Sequence, residues 1–361
     1  MSDKLPYDGE YGIMDLLHFA KQYKASDLHL TVGVPPIIKV RGELLDVGAK
    51  ILLPGIIEPI IRELFQDETS YREFLSTGDK DFSISAPGIG RFRVNTFFQR
   101  GSMAAAIRIV HTELPDPGEL GIPQGILDLH KTKRGLVLVT GPTGSGKSTT
   151  LSCLINLINE TRKCHILTLE EPIEFLHRHK KSIVNQREIG QDTVTYTKAL
   201  RSALRESPDV ILLGEMRDLE TISIAMTAAE TGHLVLSTLH TVGAAKTVDR
   251  IIDVFPPNQQ QQIRVQLSTV LQAVVSQQLL PSPELGRVAA FEIMHMNSAI
   301  RNLIRESKAF QIDAAIQTGR GAGMVSMDYS IASLVRQGLI TREDALVYSV
   351  NPEIMLRYIE G

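Results

Sequence analysis

The sequence has no tryptophan, only two cysteines (Cys153 and Cys164) and 5% aromatic residues in 361 positions. Two cysteines exclude a disulfide framework and a four-cysteine zinc site, and they fit a reducing compartment. No apolar run reaches the ~18 residues a spanning helix needs. The opening residues 1–12 also lack the apolar core of a signal peptide. The expectation is a soluble, cytoplasmic chain without direct membrane insertion. A surplus of one charge is missing too: 38 Lys and Arg stand against 41 Asp and Glu, leaving −3. That balance gives no footprint for wrapping a polyanion, so no nucleic acid partner is expected. What the chain does have is 43% hydrophobic residues over a length of two or three domains.

The first part, residues 1–111, reads as a small mixed α+β domain. Ile13, Leu16, Leu17 and Ala20 recur at helical spacing, predicting a helix over residues 12–24. Strands are expected at 26–30, 37–41, 81–85 and 91–98, with a last one ending near Val110, and one helix at 59–74. Residues 112–122, opening Thr112-Glu113-Leu114-Pro115-Asp116-Pro117-Gly118, read as a linker. Beyond it, residues 123–361 form a second domain. The runs 136–139, 166–169, 210–213 and 234–237 are continuously apolar and alternate with helix-like stretches. Such runs suit strands buried on both faces of a mainly parallel sheet, hence an α/β nucleotide-binding domain. From Gln259 the pattern reads as helical to the C-terminus.

Gly141-Pro142-Thr143-Gly144-Ser145-Gly146-Lys147-Ser148 matches G-x-x-x-x-G-K-[ST] between a strand and a helix that opens at Thr149. Glycines there let backbone N–H groups curl round phosphates; Lys147 reaches the β and γ phosphates, and Ser148 ligates Mg²⁺. Guanine-selective motifs are missing, so ATP is expected. Glu215 follows the apolar strand 210–213, where an acid binds Mg²⁺ through water or polarises the attacking water. Glu170, with Glu171 and Glu174 nearby, ends another strand and is the candidate for water activation. His233 and His240 bracket the strand 234–239; His233 is the candidate γ-phosphate sensor, packing being the alternative. Arg91, Arg93 and Asn95 alternate with Phe92 and Val94. Arg93, and Arg108 on the next strand, fit either a solvated face or arginine fingers. Arg201 and Arg205 share a helix face and are weaker candidates.

Together these motifs resemble the secretion ATPase superfamily. Residues 168–174 are similar to its Asp box, with Glu171 where aspartate is usual; 214–218 to its Walker B, and 231–240 to its His box. Within that superfamily the likeness is to the type IV pilus retraction ATPases, carried by Ala25–Leu30, by Gly90–Asn95 with Gln99–Gly101, and by Ala299-Ile300-Arg301-Asn302-Leu303-Ile304-Arg305-Glu306. The extension and type II secretion ATPases carry a longer N-terminal region and usually four zinc-binding cysteines. The resemblance implies a PAS-like N-terminal domain and a RecA-like ATPase domain in a homo-hexameric ring. It implies hydrolysis by Glu170 and Glu215, and an approach of Arg93 and Arg108 to the γ-phosphate. It also implies work on an inner-membrane platform protein of the PilC kind at that membrane's cytoplasmic face. A PilU-like accessory role and a pilus-assembly or secretion ATPase are the alternatives.

Overall fold

The computed structural model describes residues 4–7, 9–110 and 114–360. Thr112 and Glu113, where the expected linker begins, lie outside the described residues, as does residue 111 at the expected domain end. The chain divides into two compact units: Met1–Glu113 with Pro172–Leu176, and Leu114–Glu171 with His177–Gly361.

The first unit holds β1 (Lys4–Leu5), α1 (Ile13–Gln22), β2 (Asp27–Leu30), β3 (Ile37–Val40), β4 (Glu43–Val47), α2 (Pro54–Arg62), α3 (Glu68–Thr77), β5 (Asp79–Ala86), β6 (Gly90–Gln99) and β7 (Ser102–Val110). Its seven strands lie in the order β1-β4-β3-β2-β7-β6-β5, antiparallel except for β1 against β4. The apolar stripes of α1 (Leu16, Leu17), α2 (Ile57, Ile61) and α3 (Phe74) pack with Leu28, Ile38, Phe92, Val94 and Ile107 from the strands. Each such side chain, fully buried, is worth about 1.5–3 kcal/mol in transfer from water.

The single helix expected at 59–74 is instead two. Pro59 lies inside α2 rather than at a helix start. Asp67 opens α3 by accepting the Ser70 N–H at 2.8 Å, which lets the backbone begin a new helix after a turn at 63–66.

The second unit opens with a described stretch of the expected linker, where Asp116 accepts the Gly118 N–H at 2.7 Å. Ile122 is already core. There follow α4 (Gln124–Leu127), β8 (Gly135–Thr140), α5 (Lys147–Thr161), β9 (His165–Glu170), β10 (Ile183–Glu188), α6 (Tyr196–Ala203), β11 (Val210–Leu213), α7 (Leu219–Glu230), β12 (Leu234–Leu239), α8 (Ala244–Asp253), α9 (Pro257–Val270), β13 (Leu271–Ser282), β14 (Gly286–His295), α10 (Ser298–Arg305), α11 (Ile312–Thr318), α12 (Met327–Arg336), α13 (Arg342–Tyr348) and α14 (Pro352–Glu360). The strand order is β10-β9-β11-β12-β8-β13-β14, parallel except for β14. Val137 and Val139 pack with Leu151, Leu154 and Ile158 of α5. Leu136 and Leu138 pack with residues of α7, α8 and α9 on the other face. Cover on both faces is why these strands are apolar throughout.

The helical reading from Gln259 onward is corrected between residues 271 and 295. There the chain forms a long hairpin that pairs with β8 through β13. Val274 and Val275 are fully buried in it, and β-branched pairs suit a strand packed on both sides. The helices after it are as expected, and α12–α14 close over the hairpin's outer half.

Candidate functional site

Parallel strands present their carboxyl ends on one edge, where open α/β sheets bind ligands. From β8 that edge carries the glycine-rich loop 141–146. Gly141 has φ +141°, and a Cβ there would lie 2.1 Å from the Gln277 carbonyl oxygen, so only glycine fits. Gly146, left-handed at φ +87°, turns the chain directly into α5 at Lys147. Lys147 is only 8% exposed, and its Nζ donates to the carbonyls of Gly141 and Pro142, both at 2.9 Å. The Ser145 hydroxyl is buried with no hydrogen-bond partner among the described residues. A buried ammonium, an unpartnered hydroxyl and the start of a 15-residue helix fit a phosphate chain in residues 141–149.

A side chain the sequence reading missed supports this loop. Gln277 of β13, 4% exposed, accepts the Thr150 hydroxyl at 2.8 Å through Oε1. Its Nε2 lies 2.9 Å from where a Gly146 Cβ would be. The misread hairpin hid it.

Glu215 follows β11 by one residue. The turn that carries it is pinned from both neighbouring strands: Gly214 N–H donates to Leu169 O at 2.8 Å, and Thr238 Oγ1 to Gly214 O at 2.6 Å. The Glu215 side chain is 13% exposed. Arg217 pairs with one carboxylate oxygen, and His240 Nε2 lies 3.3 Å from the other. Glu215, Arg217, His240 and Arg250 of α8 line one open pocket. Asp218, by contrast, is a helix cap: it accepts the Thr221 N–H at 2.8 Å and starts α7. Tyr196 of α6 lies behind this turn. Burial raises its hydroxyl pKa, and Glu171 and Glu215 raise it further.

Glu170 ends β9, separated from β8 by β11 and β12. Its buried carboxylate accepts the Thr168 hydroxyl at 2.6 Å and the Gln186 amide at 3.2 Å. Among the described residues no group of three or more His, Cys, Asp or Glu side chains is set to hold a metal.

The placement of His233 corrects the sensor reading within this unit. It precedes β12, and its carbonyl takes the N–H of Gly135, the first residue of β8. The loop at the far end of β8 is therefore about 17 Å of strand away at ~3.3 Å per residue. Its Nδ1 lies 3.0 Å from Ala228 O, so His233 closes the end of α7 instead. His240, at the other end of the same strand, stands on the loop's edge. Arg201 and Arg205 also stay in surface contacts, Arg201 with Glu220 and Arg205 with Arg201 O.

Arg93 and Arg108 belong to the first unit, where they are direct register partners on β6 and β7. Arg108 Nε donates to Asp27 Oδ1 at 3.0 Å. Burial pushes the Asp27 carboxyl up, but the Ser26 hydroxyl and Arg108 outweigh it and hold it below the ordinary range. Both arginines, Asp27 and Glu174 line one cavity of this unit. Phe92 and Val94 are fully buried between the β6 positions that point outward.

The family model for type II/IV secretion system proteins matches residues 87–346. The chain belongs to that family. It is 49% identical over 343 residues to the type IV pilus retraction ATPase PilT of Pseudomonas aeruginosa, covering 94% of this chain and 99% of that protein. It is 47% identical to a twitching motility protein of Neisseria gonorrhoeae, covering 96% of this chain and 92% of that one. A crystal structure of the pilus retraction motor PilT with bound ADP superposes with a TM-score of 0.88 at 47% identity, over 96% of this chain and all of that one. An α/β chain with an N-terminal domain and a C-terminal ATPase domain is thus the family's architecture and this chain's. Sequence positions 299–305 fall on α10, with Glu306 as its C-terminal cap; Asn297 caps its start by accepting the Ile300 N–H at 2.9 Å. Ile300 and Ile304 are core, and Arg301 donates to Thr269 O at 3.0 Å, at the carbonyl end of α9.

Proposed function

We propose that this chain is the subunit of a homo-hexameric, Mg²⁺-dependent ATPase that drives retraction of type IV pili and so twitching motility. The observation that carries the reading is the joining of two things in one chain. The phosphate loop, Glu215 and His240 share one sheet edge, and nearly the whole length aligns at 49% identity with a retraction ATPase.

In this reading residues 141–149 bind the phosphates of ATP, with Lys147 as their cation. Ser148 and Glu215 would hold Mg²⁺, which would neutralise charge developing on the transferred phosphoryl group. Glu215 orients and polarises the attacking water, and His240, in contact with it, fixes its carboxylate and senses the γ-phosphate. Glu170, tied to Thr168 and Gln186, supports the same edge from β9. Arg93 and Arg108 supply positive charge from the first unit to the phosphoryl group. The ring works on a PilC-like platform protein at the cytoplasmic face of the inner membrane, with a PilU-like paralogue as co-subunit. Among the described residues no helix is long and apolar enough to cross a membrane.

The test is a count of surface pili, with twitching motility, in a strain lacking this chain and in one carrying Glu215→Ala. Extra pili with lost motility in both is the expected result. Bald cells would make it an extension ATPase, and unchanged retraction would overturn the reading.

A further inference from the structure

Two adjacent residues of β13 reach opposite halves of the nucleotide edge. Gln277 meets the phosphate loop at two points and the helix behind it at a third: its carbonyl packs on Gly141, its Nε2 on Gly146, and its Oε1 accepts from Thr150 of α5. Ser276, on the alternate face, accepts the Gly243 N–H at 2.9 Å. Directly across the hairpin from Ser276 stands Glu292 of β14, whose Oε1 accepts the Ala244 N–H at 2.8 Å.

Gly243 and Ala244 open α8, and a helix start leaves its first N–H groups without intrahelical partners. Gly243 has no side chain to cap with and sits at φ +95°. The cap is supplied by the hairpin instead. Thr247 completes it, donating to Gly243 O at 2.8 Å while lying 2.7 Å from the Thr241 hydroxyl. The segment held this way, 241–243, begins at the residue after His240. Glu292 is buried at a cost: burial raises its pKa, and Asp313 and Asp328 raise it further against the N–H groups of Ala244 and Met327. An apolar residue would pack there without that cost, which points to the N–H groups as the reason for an acid.

We propose that Ser276 and Glu292 are positioning residues for the hydrolytic half of the site, holding the turn that carries His240, while Gln277 positions the phosphate half. The β13–β14 hairpin thereby sets the two halves separately. This rests on the ATPase reading.

The experiment uses the full chain with Ser276→Ala, Ser276→Thr, Glu292→Gln and Gln277→Leu. It measures the affinity for labelled ADP and steady-state ATP turnover. A carboxamide at 292 offers one acceptor oxygen where two N–H groups need one. Losing one such bond is expected to lower kcat about 5- to 20-fold in Glu292→Gln and Ser276→Ala, with ADP affinity within about twofold. Ser276→Thr, which keeps the hydroxyl, should restore turnover. Gln277→Leu should weaken ADP binding about tenfold. Wild-type turnover in Glu292→Gln and Ser276→Ala, or a parallel fall of kcat and ADP affinity in them, would overturn the proposal. So would wild-type ADP affinity in Gln277→Leu. A wild-type chain that binds ADP without hydrolysing ATP would refute the proposed function instead, and the ADP arm would still decide the role of Gln277.

Discussion

His240 Nε2 lies 3.3 Å from a carboxylate oxygen of Glu215, although the two residues follow different strands. His240→Ala should therefore reduce kcat by about 10- to 100-fold, the range for removing a partner that orients an acting carboxylate. Labelled ADP should bind the variant as it binds wild type. Equal losses of affinity and turnover would place His240 in nucleotide binding rather than hydrolysis.

Gly141→Ala puts a methyl 2.1 Å from the Gln277 carbonyl, a backbone atom that cannot swing aside, at a φ of +141°. The loop must shift or the chain must lose stability, by about 3 kcal/mol for an overpacked and strained position. Nucleotide affinity should fall together with the unfolding midpoint. Lys147→Ala differs: it should abolish turnover while the chain still folds.

Arg93→Ala should cost hydrolysis more than nucleotide affinity. The Arg93 side chain is exposed on β6 beside Arg108, so removing it leaves the buried Phe92 and Val94 undisturbed. A transition-state contact shows in kcat, a ground-state contact in KM. Parallel loss of ATP affinity would count against the finger role.

His177 gives a pH dependence. Burial, with help from Lys180, lowers its pKa from 6.5 to about 4. The unfolded chain takes up this proton near pH 6.5 and the folded chain only near 4, so stability is whole above 6.5 and declines as pH falls between the two. The loss is at most about 3 kcal/mol. In His177→Gln, denaturant unfolding should show a shallower pH slope between 6.5 and 4 than in wild type; an unchanged slope would refute the assignment.

How much of this was legible depended on how local each cause is. The phosphate loop is legible because glycines with positive φ leave a fixed spacing, and the placement of Glu215 because the continuously apolar run before it marks a buried parallel strand. His233 and His240 differ in topology rather than in residue type, standing at opposite ends of one strand. All strands parallel to β8 present the same end to the loop, so the residue after the strand, not the one before it, belongs there. The hairpin was hidden for a different reason. In 271–282 helix-forming Leu, Gln and Ala are mixed with valines, and the pairing with β8 that decides the outcome lies more than 130 positions away. Gln277, Ser276 and Glu292 were lost with it. The break of the expected helix at 63–67 turned on one capping side chain, Asp67.

The five residues Pro172–Leu176 have a consequence for biosynthesis. The sheet of the first unit is complete once residue 110 has been made, but its cavity beside Arg93 and Arg108 is lined in part by Ile173 and Phe175. Those two side chains, nearly fully buried, are translated only after residues 114–171 of the other unit. A nascent chain thus holds its first unit unfinished while β8, α5 and β9 emerge, so the order of synthesis and the order of assembly do not coincide.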